Sequence, residues 1–182
     1  MRKFFAITAM GKDRPGIVAG VSKALYELGA NVEDSSMTIL KSEFAMILII
    51  STGQETETSD FEDCFKELTN KLRLFITVKE LDEDEIHSKK RYSGIPYIIS
   101  VIGSDKPGIV YKISELLASK GINITDLNTK VVPGEKTTVY TMILEVDLPV
   151  YVDINLLEEE LSIIEKEMAI DISIKKIEIL QL

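Results

Sequence analysis

The 182-residue chain contains one cysteine, one histidine and no tryptophan. A lone Cys64 excludes an internal disulfide and any zinc site built from several thiolates. With His87 as the lone histidine, a Ser–His–Asp or Cys–His catalytic system has one imidazole to draw on. That residue lies in the most polar stretch, Asp82 to Arg91, where a buried, oriented base is not expected. Neither a Cys-x-x-Cys nor a His-Glu-x-x-His spacing occurs. No apolar run approaches the ~20 residues that span a bilayer. Met1-Arg2-Lys3-Phe4-Phe5 starts in the manner of a signal peptide, but Lys12, Asp13 and Arg14 interrupt the apolar core such a peptide needs, so a cytoplasmic location is expected. Basic residues are also in short supply: 21 Lys and Arg against 30 Asp and Glu leave a net charge of −9. Each contact to a nucleic-acid phosphate needs a cation to displace a counterion, so direct DNA or RNA binding over a broad face is not expected. Nothing in this inventory calls for a cofactor or a metal.

What is present is a repeat. Gly11-Lys12-Asp13-Arg14-Pro15-Gly16-Ile17-Val18 recurs 92 residues on as Gly103-Ser104-Asp105-Lys106-Pro107-Gly108-Ile109-Val110. The register continues without a gap through Leu25 and Leu117, Gly29 and Gly121, Asn31 and Asn123, and Asp34 and Asp126. The second copy then gains four residues around Pro133-Gly134-Glu135-Lys136, after which Met46-Ile47-Leu48 aligns with Met142-Ile143-Leu144. An insertion confined to a turn is what a shared fold tolerates. Two domains are expected, residues 1–81 and 95–182, joined by a charged connector at 82–94 that carries Asp82-Glu83-Asp84-Glu85 and Lys89-Lys90-Arg91.

Each copy predicts the same order of elements. Phe4 to Met10 and Pro96 to Ile102 read as strands, each followed by a Pro-Gly turn and a helix. Ile17, Val21, Leu25 and Leu28 form one helix's apolar stripe, and Ile109, Ile113, Leu116 and Leu117 the other's. Pro15 and Pro107 suit the first helical turn, and Gly29 and Gly121 the residue past the helix end. A second strand from Asn31 or Asn123 turns back into apolar strands at Phe44 to Ile50 and Val139 to Val146. A second helix follows, burying Phe61, Phe65, Leu68 and Leu72 or Leu157, Leu161, Ile164 and Met168. A last strand closes each copy, Leu74 to Val78 or Ile170 to Ile179. The expected class is α+β: two ferredoxin-like βαββαβ domains in tandem, with antiparallel sheets and helices on one face.

Two finer features recur. In each second strand the apolar phase slips by one, from Ala30 and Val32 to Met37 and Ile39, and from Ile122 and Ile124 to Leu127, Thr129 and Val131. A bulge near Asp34 and Asp126 accounts for this, as does a change in which face is buried. The third strands also carry apolar residues on both faces, with Ala45, Ile47 and Ile49 or Val139 and Ile143 opposite the core set. Both open sheet faces are therefore expected to be covered by another copy or another chain, with partial cover by the connector as the alternative.

The Gly-x-Asp-x-Pro-Gly-Ile-Val loop, the Gly-x-Asn that opens the second strand and the βαββαβ order together resemble ACT domains, small modules that bind amino acids and regulate metabolism. The resemblance covers nearly the whole chain as two copies. Ile7 to Val18 followed by Asn31-Val32-Glu33-Asp34-Ser35 is most similar to the glycine cleavage system transcriptional repressor family, and the amino-terminal ACT domain of formyltetrahydrofolate deformylase is similar as well. The repressor resemblance implies paired ACT domains without a DNA-binding domain, a small amino-acid ligand such as glycine or serine held at ACT domain interfaces, and a transcription-factor partner, while the apolar open faces point to a homo-oligomer such as a dimer.

The residues support a zwitterionic ligand on their own terms. A helix entered through Pro-Gly offers backbone N–H groups and a positive dipole end to an α-carboxylate. Asp13 or Asp105 can accept from an α-ammonium group, and Asn31 or Asn123 can donate and accept. The candidate contacts are Gly11, Asp13, Arg14, Gly16, Ile17, Asn31 and Val32 in the first copy, and Asp105, Lys106, Gly108, Ile109, Asn123 and Ile124 in the second. Duller roles compete: helix capping for the aspartates, turn geometry for the glycines and αL tolerance for the asparagines. The copies differ, with Glu33 matching Thr125, so one site could be degenerate. The competing functions are a constitutive interaction module without ligand, and an RNA-binding βαββαβ module stacking bases on Phe5, Phe44, Tyr97 and Tyr140. Glu158-Glu159-Glu160 reads as a solvated helix face, not as catalytic carboxylates, and no enzyme is expected.

Overall fold

Alternation along the first strand, β1 (Lys3–Lys12), puts Phe5, Ile7 and Ala9 on one side with no solvent exposure and leaves Phe4, Ala6, Thr8 and Met10 on the other. The rest of the first unit grows from that asymmetry. Helix α1 (Ile17–Glu27) buries Ile17, Val21, Ala24 and Leu25, and α2 (Thr58–Leu72) buries Phe61 and Phe65, all against the same side of the sheet. The remaining strands are β2 (Asn31–Leu40), β3 (Glu43–Thr52) and β4 (Phe75–Leu81). They form an antiparallel sheet in the order β2-β3-β1-β4.

The second unit repeats the plan. Its elements are β5 (Ile95–Ser104), α3 (Ile109–Ser119), β6 (Asn123–Val132), β7 (Val139–Leu148), α4 (Ile154–Met168) and β8 (Ile170–Lys176), with sheet order β6-β7-β5-β8. This computed structural model describes residues 2–82, 86, 94–133 and 138–178. The chain divides into two compact units at residues 89 and 90. Most of the expected charged connector, with His87, and the inserted residues 134–136 lie outside the described residues, as does Ile179. No helix among the described residues is long and apolar enough to cross a membrane.

The phase slip is a bulge. The β2–β3 register shifts between Val32 and Asp34, and the β6–β7 register between Ile124 and Asp126, so Glu33 and Thr125 are the unpaired residues. Helix entry differs from expectation: α1 and α3 start at Ile17 and Ile109, not at the prolines. Gly16 and Gly108 stand between as caps with φ of +97°, outside helical space, which leaves Pro15 and Pro107 one residue further out. Gly29 and Gly121, at φ +67° and +68°, sit past the helix ends as expected. There Ala30 and Ile122 donate back to the Leu25 and Leu117 carbonyls, each at 2.9 Å, closing a Schellman turn.

The open sheet faces depart from the expectation that both are apolar. In the first unit Ala45, Ile47 and Ile49 of β3 lie beside Thr38, Ser36 and Asp34 of β2. In the second, the matching positions of β7 are Thr141, Ile143 and Glu145, flanked by Lys130, Asn128 and Asp126. The run of apolar letters in β7 is broken on its outer face by Glu145 and Asp147, so that face is suited to water. The aromatic residues named for base stacking do not lie on either open face: Phe5, Phe44 and Tyr140 are buried, and Tyr97 packs against the second core.

Candidate functional site

The two loops from strand to helix are near copies in space. Gly16 and Gly108 share φ of 97° with ψ of −8° and −7°, and a Cβ added at either would meet nothing within 4 Å. Glycine is required there by backbone conformation, and the space above it is open. Ile17 and Ile109 are buried and anchor the first helical turn in the core, so their side chains are not available to a ligand. The helix starts then differ in kind. Among the described residues no side chain caps α1 or α3, and neither has an acid in its first turn. In contrast, Asp60 Oδ2 accepts from the Glu57 backbone N–H at 2.8 Å at the start of α2, and Asp153 Oδ1 accepts from Asn155 N–H at 2.9 Å at the start of α4. Asp13 and Asp105 therefore do not serve as helix caps. The N–H groups of the first turn of α1 and α3 remain as donors, with the positive end of the helix dipole behind them.

The loop side chains have diverged. Asp13 is exposed, and its backbone N–H donates to the Ser42 carbonyl at 2.8 Å, holding the loop against the β2–β3 turn. Asp105 is also exposed and lies near Tyr140; burial first, and the Asp105 charge second, push that phenol above its ordinary pKa. Phe44 occupies the matching place in the first unit. Lys106 donates to the Met168 carbonyl at 2.7 Å, so it closes the end of α4. Arg14 is half-buried and has no hydrogen-bond or ion-pair partner among the described residues. Gly11 and Gly103 serve close packing: a Cβ on Gly11 would stand 3.0 Å from the Arg73 carbonyl oxygen, and one on Gly103 2.6 Å from Ile170.

The asparagines stand elsewhere. Asn31 pairs with Ser51, whereas Gly11 pairs with Phe44, so the loop and the asparagine of one unit occupy opposite ends of the sheet. Seven residues of strand put about 23 Å between them. One amino acid, which spans only ~3.5 Å of extended backbone, does not touch both within a unit. Val32 flanks Asn31 and is 44% exposed, while Ile124 packs against the second core.

A carboxylate accompanies each asparagine. Glu33, on the bulge, accepts from Asn31 Nδ2 at 3.0 Å and from Ser51 Oγ at 2.5 Å, with Arg2 3.7 Å away. The Ser51 bond foremost, then Asn31, holds the Glu33 pKa below the ordinary carboxylate value. In the second unit Thr125 replaces Glu33 and Asp147 replaces Ser51, so acid and hydroxyl have exchanged positions. Asp147 pairs across the ladder with Asn123, and its Oδ2 is buried without a hydrogen-bond partner among the described residues. The Glu33–Thr125 mismatch is visible in the sequence but this compensation is not, and the phase slip at Glu33 is its one sequence signal.

Both units are similar in sequence and fold to known proteins. The ACT domain family profile matches residues 3–79 and again 96–175. A UPF0237 protein of Methanopyrus kandleri is 48% identical over 48 residues, covering 26% of this chain and 53% of that protein, so the match spans about half of that relative's length. The glycine cleavage system transcriptional repressor of Escherichia coli is 25% identical over 139 residues, covering 72% of this chain and 67% of that one. Among solved structures, a protein of unknown function from Galdieria sulphuraria superposes with a TM-score of 0.76 at 29% identity, covering 98% of this chain and all of that one.

Proposed function

The chain belongs to the ACT domain family, and on that premise we propose that it is a non-catalytic regulator that senses a small amino acid, glycine or serine, and passes the signal to a partner transcription regulator. The observation that carries this reading is the pair of uncapped helix starts. α2 and α4 engage carboxylates in their first turns, while α1 and α3, entered through the repeated loop, keep their N–H donors open. An α-carboxylate satisfies those donors, and Arg14 adds a cation beside the first of them. The α-ammonium group then meets Asp13 or Asp105, or an asparagine with its accompanying acid.

Because loop and asparagine are about 23 Å apart within a unit, a bridging ligand requires two units side by side. The edge strand β2 is exposed along its whole length, and antiparallel apposition of two such edges from two copies of the chain brings one loop to the other's Asn31. A ligand at that junction stabilises the paired arrangement over the separated one, and this differential affinity is what a partner protein can read. The net charge of −9 and the similarity to a transcriptional repressor favour control through a protein partner over direct contact with DNA. Titration calorimetry against the twenty amino acids tests the reading. Saturable heat with glycine or serine, lost in the doubly substituted Asp13→Ala, Asp105→Ala protein, is expected; silence for every amino acid at millimolar concentration supports a constitutive interaction module instead.

A further inference from the structure

The two open sheet faces can be compared position by position, and they have diverged in opposite directions. In the first unit, Phe75, Met10, Ala45 and Thr38 stand in one row across the strands, and Thr77, Thr8, Ile47 and Ser36 in the next. Neither row holds a charge. The third row has charges only at its ends, Lys79 on one edge strand and Asp34 on the other, with Ala6 and Ile49 between. In the second unit Asp171 and Lys130 end the first row, and Glu145 enters the middle of the third. Met10, Ile47 and Phe75 are 46%, 48% and 65% exposed, so nothing within their own unit covers this apolar surface.

We propose that the open face of the first unit is a docking surface for the same face of a second copy of this chain, the sheets packing face to face about a two-fold axis that runs along the strands. The sheet order decides what meets what. Such an axis exchanges β2 with β4 and β3 with β1, so Met10 meets Ala45 and Phe75 meets Thr38. In the remaining rows Ile47 meets Thr8 and Ile49 meets Ala6. Every large side chain meets a small one, which is the alternation that lets two layers interdigitate. At the corners Asp34 of one copy lies over Lys79 of the other, twice by symmetry. The pairing is isologous, so an uncharged centre is compatible with itself, and it closes without further growth. Aligned sheets pack about 10 Å apart and within ~30° of each other. A patch four strands wide (~19 Å) and about six residues tall (~20 Å) has roughly 400 Å² of plan area. With side-chain relief two such faces bury about 1,000 Å², the lower bound for a specific interface. The second unit cannot pair in this way at equal cost, because Glu145 would be buried against Ile98 with no partner.

The experiment measures the mass of the full chain by light scattering at micromolar concentration for the native protein, Ile47→Glu, Thr8→Glu and Ile143→Glu. Ile47 and Ile143 are equivalent positions of equal exposure, 48% and 49%. The native protein is expected to be a dimer or a higher even assembly. Ile47→Glu is expected to halve its mass, with dissociation at least ~100-fold easier because two unpaired carboxylates would be buried, and Ile143→Glu to leave it unchanged. Thr8→Glu, on a different strand of the same patch, is expected to act as Ile47→Glu does, and circular dichroism verifies that each variant is folded. A monomeric native protein, a mass unchanged by both Ile47→Glu and Thr8→Glu, or an equal loss from Ile143→Glu overturns the proposal. Pairing through the β2 edges uses other groups, so a calorimetric glycine or serine response in folded Ile47→Glu separates the fate of this surface from that of amino-acid sensing.

Discussion

Arg14 and Lys106 occupy the same position in the repeat, yet among the described residues only Lys106 holds a hydrogen bond, and substituting each by methionine separates a packing role from the proposed ligand-binding one. Lys106 donates to the Met168 carbonyl at 2.7 Å at the C-terminal end of α4. A hydrogen bond from a charged group is worth ~1.5–3 kcal/mol when buried, and a cation at a helix C-terminus ~0.3–1 kcal/mol when exposed. Lys106 is solvent-accessible at this site, so a loss of about 1–1.5 kcal/mol is expected for Lys106→Met. For a domain of this size that lowers Tm by roughly 5–8 °C. Among the described residues Arg14 holds no such bond, so Arg14→Met is expected to leave stability within about 0.5 kcal/mol of the native value. It should instead weaken amino-acid binding about tenfold by removing a cation beside the carboxylate. Differential scanning calorimetry reads the first effect, hydrogen exchange at the α4–β8 junction localises it, and titration calorimetry reads the second. Equal Tm shifts for the two variants, or none for Lys106→Met, would refute the division of roles.

Two further outcomes are expected. Arg73 and Ala169 end α2 and α4 with φ of 52° and 49°, a conformation that costs a non-glycine residue ~1–2 kcal/mol. Arg73→Gly and Ala169→Gly should each stabilise the chain by about 0.5–1 kcal/mol after the added entropy of the unfolded state; chemical denaturation measures this, and a destabilised variant contradicts it. Because the folded-state pKa of Glu33 is lowered, its contribution is present above the ordinary carboxylate pKa and is lost as pH falls through the folded value. Ser51→Ala removes the largest cause, so the Glu33 carboxyl titration followed by NMR should move up toward the ordinary value, and an unmoved titration excludes the Ser51 bond as that cause.

Much of this architecture is legible in the sequence because duplication prints the same pattern twice. The spacing of Ile17, Val21 and Leu25 against Ile109, Ile113 and Leu117 identifies the first helices, and the slip after Val32 and Ile124 locates the bulges. What was not legible depends on direction in space. Asn31 follows Gly16 closely along the chain, but the helix between them carries the backbone to the far end of the sheet, so sequence proximity became about 23 Å of separation. α1 starts two residues after Pro15 because a glycine at φ +97° stands before the helix where a proline is otherwise well suited. The second open face was expected to be apolar because Val139 and Ile143 lie in a β-rich run. Alternation along β7 already puts Glu145 and Asp147 on Ile143's side, and the register with β5 and β6 then sets Glu145 beside Ile98 and Asp126. The exchange of Glu33 and Ser51 for Thr125 and Asp147 likewise joins residues far apart in sequence that meet across a strand pair.

In the proposed sensor an amino acid docks its carboxylate on the uncapped start of α1. The most direct measurement is a ¹H–¹⁵N NMR titration of the full chain with glycine and with serine. Saturable shifts are expected at the amides of Gly16, Ile17 and Val18 together with the side-chain amide of Asn31, and much smaller shifts at the capped start of α4. Unchanged loop amides throughout the millimolar range, or shifts confined to residues outside the loops and the asparagines, would contradict it.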